Sequence, residues 1–128
     1  MRRDRVIVVD DELSMRQMLS ILLKRSGYEV EAVASAEDAL VRIEDWWPDL
    51  VLTDLNMPGM HGLDLLSKVK AKAAQEERDV EVIVVTAYGS TRTAVDAMTK
   101  GAANYVLKPF NNDELKMVVR RALGRRAL

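Results

Sequence analysis

The chain has 128 residues, 48% of them hydrophobic, and a formal net charge of −1. This length and composition are typical of one globular domain, and the charge excludes an overall nucleic-acid or membrane signature. The chain contains no cysteine and no apolar run long enough for a secretory signal or a membrane span, so we expect a cytoplasmic protein.

The first part of the chain alternates apolar strands with amphipathic helices. Residues 6–9 predict a buried strand, and residues 29–33 predict a half-exposed one, because polar and apolar positions alternate there. Between these strands, Ser14 and Gln17 have the spacing of a helix capping box. A second helix is predicted with one apolar stripe, formed by Ala36, Ala39, Leu40, Ile43 and Trp47.

The rest of the chain continues this alternation with three strands and three helices. The predicted elements are strands at residues 50–53, 80–85 and 104–107, and helices at residues 62–74, 91–100 and after Asn111. Asn111 and Glu114 are placed to cap the last helix. The fourth helix is expected to turn Ala94, Ala97 and Met98 inward.

Strands that alternate with helices predict βαβ units, and therefore an α/β fold with a parallel sheet covered by helices on both faces. The first, third and fourth strands are continuously apolar, so we expect them at the centre of the sheet. The second and fifth strands carry polar residues and are expected at its edges. The doubly wound, flavodoxin-like order 2-1-3-4-5 meets both requirements.

Chemically reactive side chains follow four of the five predicted strands. They are Asp10 and Asp11, Asp54, Thr86, and Lys108. A single acidic residue after a strand is usually a turn or cap residue. Because the carboxyl ends of parallel strands meet at one edge of a sheet, four such positions favour a functional site.

The residue types at this edge predict a metal-assisted reaction of phosphate. Three neighbouring carboxylates cannot all stay ionised without a cation, and Mg²⁺ suits a site of few carboxylates that leaves room for water and a phosphate oxygen. Absence of cysteine and the single histidine, His61, argue against zinc or iron. Asp54 is predicted to be the nucleophile of phosphoryl transfer, while Thr86 and Lys108 neutralise phosphoryl oxygens.

Short motifs along essentially the whole chain resemble the receiver domains of two-component response regulators. They are Val9-Asp10-Asp11-Glu12, Leu52-Thr53-Asp54 with Met57-Pro58-Gly59, Val85-Thr86-Ala87, and Leu107-Lys108-Pro109-Phe110. The segment from Thr86 to Tyr105 is most similar to receivers of the nitrogen-regulator type, the sigma-54-dependent activators. In that group the receiver precedes an ATPase module that activates transcription.

The resemblance implies that Asp54 accepts a phosphoryl group from a phosphohistidine of a sensor histidine kinase. It implies that Mg²⁺ is coordinated by the side chains of Asp11 and Asp54 and by the backbone carbonyl of Asn56, with Asp10 acting mostly through a water molecule. Such a receiver catalyses its own phosphorylation and dephosphorylation but is not a turnover enzyme.

The resemblance also implies a switch. Thr86 and Tyr105 are the implied switch pair, Lys108 is the phosphate partner, and a cis peptide bond precedes Pro109. Phosphorylation is expected to change the face formed by the fourth helix, fifth strand and fifth helix, and so to control an output domain. On the sequence alone, Tyr105 is equally compatible with a partly buried aromatic residue of an edge strand.

We expect residues 1–128 to be one receiver domain cut from a longer regulator, with an own or fused output domain and a possible homodimer. The basic C-terminal end, Arg120, Arg121, Arg125 and Arg126, is interpreted as a solvated helix face and not as a DNA-binding surface.

Two alternatives remain open on the sequence. One is a Mg²⁺-dependent phosphatase with an aspartyl nucleophile, although such enzymes carry an Asp-x-Asp pair after the first strand and this chain has adjacent Asp10 and Asp11. The other is a receiver-like binding module that never meets phosphate. The intact acidic set, Thr86 and Lys108 argue against it.

Overall fold

The computed structural model describes residues 2–124, which form five strands and five helices in strict alternation. The strands are β1 (Arg5–Val9), β2 (Glu29–Val33), β3 (Leu50–Thr53), β4 (Glu81–Thr86) and β5 (Asn104–Leu107). The helices are α1 (Leu13–Arg25), α2 (Ala36–Arg42), α3 (Gly62–Gln75), α4 (Thr91–Thr99) and α5 (Asn112–Gly124).

The sheet confirms the predicted architecture. Its strands are parallel and follow the order β2-β1-β3-β4-β5. The chain adds β2 on one side of β1 and β3 on the other, so the switch point of the sheet lies between β1 and β3, where Val9 is in register with Thr53. Ligand sites of doubly wound folds lie beyond the carboxyl ends of the strands at this switch point.

Two apolar cores lie on opposite faces of the sheet, because successive strand side chains point to opposite sides. Ile7, Val51 and Val82 belong to one core, which α2, α3 and α4 cover. The neighbouring strand residues Val8 and Leu52 belong to the other core, which α1 and α5 cover. Burial on both faces explains the uninterrupted apolar runs of the central strands.

The predicted capping box of the first helix is wrong. α1 begins at Leu13, two residues earlier than a cap at Ser14 requires, and Gln17 lies within the helix. Glu12 occupies the N-cap position without a side-chain cap. The Asp10 carboxylate accepts the Glu12 N–H at 2.9 Å. The chain is therefore turned at Glu12, and the helix begins directly after the acidic stretch.

The second helix is also shorter than predicted. α2 ends at Arg42, so Trp47 is not part of its apolar stripe. Trp46 and Trp47 follow it and are both partly buried. The Trp47 indole N–H donates to the Asp79 carbonyl at 3.0 Å, and the Arg5 guanidinium lies 5.1 Å from the centre of the Trp46 ring. Both rings therefore make tertiary contacts beyond the end of the helix.

The fourth helix buries less than predicted. Ala97 is fully buried and Ala94 is partly buried, but Met98 is 50% exposed, so its predicted inward position is wrong. The helix packs only a narrow stripe against its neighbours. Its start is well defined, since Ser90 and Thr93 form a reciprocal capping box.

The last helix agrees with the prediction. The Asn111 side-chain oxygen accepts the N–H groups of Asp113 at 2.8 Å and Glu114 at 3.3 Å. The predicted inner residues Leu115, Val118, Val119 and Ala122 are all buried. Arg125 and Arg126, at the predicted basic end, lie outside the described residues. Within residues 2–124, no helix combines the length and apolar character that crossing a bilayer requires.

Candidate functional site

Three predicted acidic residues lie together at the carboxyl edge of the sheet. β1 and β3 are adjacent, and the Asp54 N–H donates to the Val9 carbonyl at 3.0 Å, which aligns the ends of the two strands. One carboxylate oxygen from each of Asp10, Asp11 and Asp54 lies within 4.8 Å of the others. Asp10 and Asp54 are buried, whereas Asp11 is exposed and opens the cluster to solvent.

Lys108 reaches this acidic cluster from β5. Its ammonium nitrogen lies 2.8 Å from Asp10 Oδ2 and 3.1 Å from Asp54 Oδ2. The Lys108 backbone N–H donates to the Thr86 carbonyl at 2.9 Å, which sets the point where the lysine leaves the sheet. The structure therefore brings together the predicted residues Asp10, Asp11, Asp54 and Lys108, as their positions after parallel strands require.

The charges of this site are not balanced. The Lys108 ammonium group pairs with Asp10 and Asp54, while Asp11 adds a third carboxylate to the cluster, and the Lys108 side chain is only 13% exposed. Burial lowers the pKa of Lys108. The hydrogen bonds to Asp10 and Asp54 and the negative charges of these residues together raise it by more, so the pKa of Lys108 lies above its ordinary value. An oxygen-only ligand set with surplus negative charge fits a hard divalent cation such as Mg²⁺.

The loop after Asp54 is held close to the site. Asp54 Oδ1 accepts the Leu55 N–H at 2.7 Å, and the Gly62 N–H donates to the Leu55 carbonyl at 2.9 Å. A side chain at Gly62 would collide with the Asp54 carbonyl oxygen, so only glycine allows α3 to begin here. His61 caps α3, since its Nδ1 accepts the Leu63 N–H at 3.1 Å.

Two further contacts to the site were not predicted. Arg16, on α1, donates to the Asp10 carbonyl oxygen at 2.9 Å. Glu37, on α2, accepts the Met60 N–H at 3.2 Å and so ties the loop that carries the exposed Asn56. Neither residue has a local sequence signal, because each contact depends on how a helix packs against a loop.

The predicted pair Thr86 and Tyr105 contacts one loop from two sides. Thr86, at the end of β4, is fully buried, and its hydroxyl oxygen accepts the Tyr88 N–H at 3.2 Å. The Tyr105 hydroxyl lies 2.7 Å from the Thr93 hydroxyl in the first turn of α4. Each side chain therefore holds one end of the segment between β4 and α4. The peptide bond before Pro109 is cis, as the family resemblance implied.

The fold and site together define a class: a doubly wound α/β domain with an acidic cluster and one lysine beyond its central strands. A family model described as "Response regulator receiver domain" matches residues 6–120. The chain belongs to this family and is a receiver domain of two-component response regulators.

Curated relatives agree with this membership. The chain is 40% identical over 120 residues to "Regulatory protein AtoC" of Escherichia coli, which covers 94% of this chain and 25% of that protein. It is 36% identical over 123 residues to "DNA-binding response regulator MtrA" of Mycobacterium tuberculosis, covering 96% of this chain and 52% of that protein. The chain thus spans a quarter of the first relative and about half of the second.

Solved structures are similar along almost the whole chain. A receiver domain protein from Methanospirillum hungatei has a TM-score of 0.89 and 31% identity, with 96% of this chain and 95% of that chain covered. NtrX from Brucella abortus, solved in complex with ADP, has a TM-score of 0.86 and 33% identity. That match covers 96% of this chain and 27% of NtrX.

Proposed function

We propose that this chain accepts a phosphoryl group on Asp54 from a phosphohistidine of a sensor histidine kinase. The observation that carries the proposal is the surroundings of the Asp54 carboxylate, which is buried beside Lys108 and clustered with Asp10 and Asp11 at the carboxyl edge of the sheet. A carboxylate with unbalanced negative neighbours needs a cation before an anionic phosphoryl group can approach it.

The side chains of Asp10, Asp11 and Asp54 and the backbone carbonyl of Asn56 are the residues that would hold Mg²⁺. Asp10 is proposed to act mostly through a water molecule, as the family resemblance implies; its two oxygens accept the Lys108 ammonium group and the Glu12 N–H. When bound, Mg²⁺ supplies positive charge that offsets the charge of the phosphoryl oxygens.

The proposed transfer is an in-line displacement. A carboxylate oxygen of Asp54 forms a bond to phosphorus while the bond between phosphorus and the imidazole nitrogen breaks, and that nitrogen keeps the electron pair. The Lys108 ammonium group and the Thr86 hydroxyl group donate to phosphoryl oxygens. Water later attacks phosphorus and the bond between phosphorus and the Asp54 oxygen breaks, which releases phosphate and restores the carboxylate. On this proposal the phosphoryl group serves as a signal on the chain, which is a signalling module and not a turnover enzyme.

Phosphorylation of Asp54 is proposed to act through Thr86 and Tyr105. The Thr86 hydroxyl, whose oxygen accepts the Tyr88 N–H in this structure, is proposed to move inward so that its proton is donated to a phosphoryl oxygen. Its movement would make room for Tyr105 to turn inward and change the face formed by α4, β5 and α5.

The chain is proposed to be the receiver part of a longer cytoplasmic regulator. The greater length of its relatives supports this, since the chain spans a quarter of AtoC and about half of the DNA-binding regulator MtrA. On this proposal, an output domain with ATPase and DNA-binding modules acts on transcription, and the receiver itself binds no nucleic acid. A homodimer through the α4, β5 and α5 face belongs to the same proposal.

The proposal is tested by incubating the chain with Mg²⁺ and acetyl phosphate, a small phosphodonor, and measuring its intact mass. We expect the mass to rise by one phosphoryl group, and we expect no rise with EDTA or in Asp54→Ala. An unchanged mass of the folded wild type would refute the proposal, as would a gain that persists in Asp54→Ala. Repeated turnover of a phosphate ester would instead support the phosphatase alternative.

A further inference from the structure

The first turn of α4 contains a network of hydroxyl groups that joins Tyr105 to the helix cap. Thr93 Oγ1 accepts the Ser90 N–H at 3.0 Å, and it lies 3.1 Å from the Ser90 carbonyl oxygen. In return, Ser90 Oγ accepts the Thr93 N–H at 3.1 Å. The Tyr105 hydroxyl group approaches the same Thr93 oxygen, at 2.7 Å, from β5.

The hydrogen-bonding capacity of a hydroxyl group limits how many of these contacts Thr93 can make at once. Thr93 has one proton to donate and two lone pairs that accept. It accepts the Ser90 N–H, and when it donates to the Ser90 carbonyl its other lone pair can accept the Tyr105 O–H at 2.7 Å; Ser90 Oγ also lies 3.1 Å from the same oxygen. With Tyr105 present, every hydrogen-bonding position of the Thr93 hydroxyl is filled.

Gly89 leaves the space that this arrangement needs. A methyl group at position 89 would collide with Leu107 Cδ2 and would lie 2.7 Å from the Tyr105 hydroxyl oxygen. The outward position of Tyr105 therefore depends on a missing side chain on one side and on Thr93 on the other.

We propose that Thr93 is a positioning residue that latches Tyr105 outward and makes the position of Tyr105 and the N-terminal cap of α4 one cooperative unit. When Tyr105 leaves Thr93, the Thr93 hydroxyl loses one hydrogen-bond partner and the first turn of α4 opens more often. The trigger, phosphorylation of Asp54, rests on the proposed function, but the latch itself exists without phosphate.

The latch is tested first without any phosphodonor, by amide hydrogen exchange at Ser90 and Thr93 followed by NMR. Loss of one neutral hydrogen bond corresponds to about a fivefold change in an opening equilibrium. We expect exchange at these amides to rise by about fivefold in Tyr105→Phe, although position 105 lies on another element. Tyr88→Phe is the matched control, because Tyr88 is 75% exposed on the same loop.

Variants of Thr93 separate its hydroxyl group from its volume. Thr93→Val removes the hydroxyl group and is expected to raise exchange at the Ser90 amide at least as much as Tyr105→Phe, whereas Thr93→Ser retains slow exchange. In the double variant Thr93→Val with Tyr105→Phe, the second change should add nothing. Wild-type exchange in Tyr105→Phe, or additive effects in the double variant, would overturn the latch.

Gly89→Ala approaches the latch from the other side. Its added methyl group should displace the Tyr105 hydroxyl and raise exchange at Thr93 as Tyr105→Phe does.

The trigger is then measured on wild type phosphorylated with acetyl phosphate and Mg²⁺. Fast exchange at Ser90 and Thr93 is expected; slow exchange in chains with the added phosphoryl mass would overturn the link to Asp54. If no mass is added, the proposed function fails and the latch is still decided by the unphosphorylated variants.

Discussion

Asp49 and Asp54 lie at opposite ends of β3 and are almost equally buried, with exposures of 7% and 8%. Their carboxylates nevertheless have opposite surroundings. Asp49 Oδ2 accepts the Arg5 backbone N–H at 2.8 Å, and both of its oxygens accept from the Arg2 guanidinium. Asp49 therefore has donors in excess, and its carboxylate fastens the start of β1 to the start of β3.

Asp54, by contrast, has two other carboxylates, Asp10 and Asp11, as neighbours. Its carboxylate shares the ammonium group of Lys108 with Asp10, and one of its oxygens lies within 4.8 Å of an oxygen of Asp11. A buried aspartate is thus not by itself a sign of function, because burial only requires that its charge be compensated. The compensation of Asp49 is complete within residues 2–124, whereas Asp54 shares one ammonium group with Asp10, and we propose that this difference distinguishes a structural carboxylate from a reactive one.

The largest expected effect is on phosphorylation and separates the two aspartates completely. Asp54→Asn should abolish the gain of phosphoryl mass from acetyl phosphate, because an amide oxygen is not a competent nucleophile. Asp49→Asn should retain one phosphoryl group per chain, as measured by mass spectrometry of the folded variant. Loss of phosphorylation in folded Asp49→Asn would contradict the distinction.

Mg²⁺ should stabilise the folded chain by binding at the acidic cluster. The free energy of unfolding should rise by about 2.7 kcal/mol when Mg²⁺ reaches a hundred times its Kd, because the folded chain alone presents the site. Asp11→Asn should lose most of this rise, as measured by urea unfolding with and without Mg²⁺. Asp45→Asn is the matched control, since Asp45 is an exposed partner of Arg42 outside the cluster. An equal response in both variants would argue against this metal site.

Without Mg²⁺, a substitution at Asp49 should lower the free energy of unfolding more than one at Asp54, which is the reverse of the order expected for phosphorylation. Asp49→Ala should lower the free energy of unfolding by about 2 kcal/mol, because the partly buried Arg5 N–H loses its acceptor. Asp54→Asn should remain within about 1 kcal/mol of wild type, since the lost contact to Lys108 is offset by relief of repulsion from Asp10 and Asp11. Urea unfolding in EDTA measures both, and a larger loss in Asp54→Asn would reverse the assignment.

The smallest effect concerns alkaline pH. The pKa of Lys108 is raised in the folded chain, so its charge contributes fully to stability below the pKa of unfolded lysine, about 10.4. The contribution is lost as the pH rises through the higher folded pKa. The stability difference between wild type and Lys108→Met should therefore be constant near neutral pH and shrink only in strongly alkaline solution. Exposed Lys68→Met should show no such difference, and a decline already at neutral pH would contradict the raised pKa.

Much of the fold could be predicted because it depends on local patterns. Apolar runs at residues 6–9 and 50–53 define central strands, and the alternating residues 29–33 define an edge strand. The capping box at Ser14 was wrong and the one formed by Ser90 with Thr93 was missed, since a cap depends on where the preceding loop places its side chains. Met98 was misplaced because helical periodicity does not state how wide a stripe the neighbours cover.

The sequence by itself determined the strand order and the convergence of Asp10, Asp11, Asp54 and Lys108, because residues that follow parallel strands must meet at one edge. Only the tertiary structure decided how each charge is compensated and what holds Tyr105. Those properties depend on contacts between elements far apart in the chain, such as Lys108 with Asp10. A local pattern can place a residue at the edge of the sheet, but only packing determines which partner it meets there.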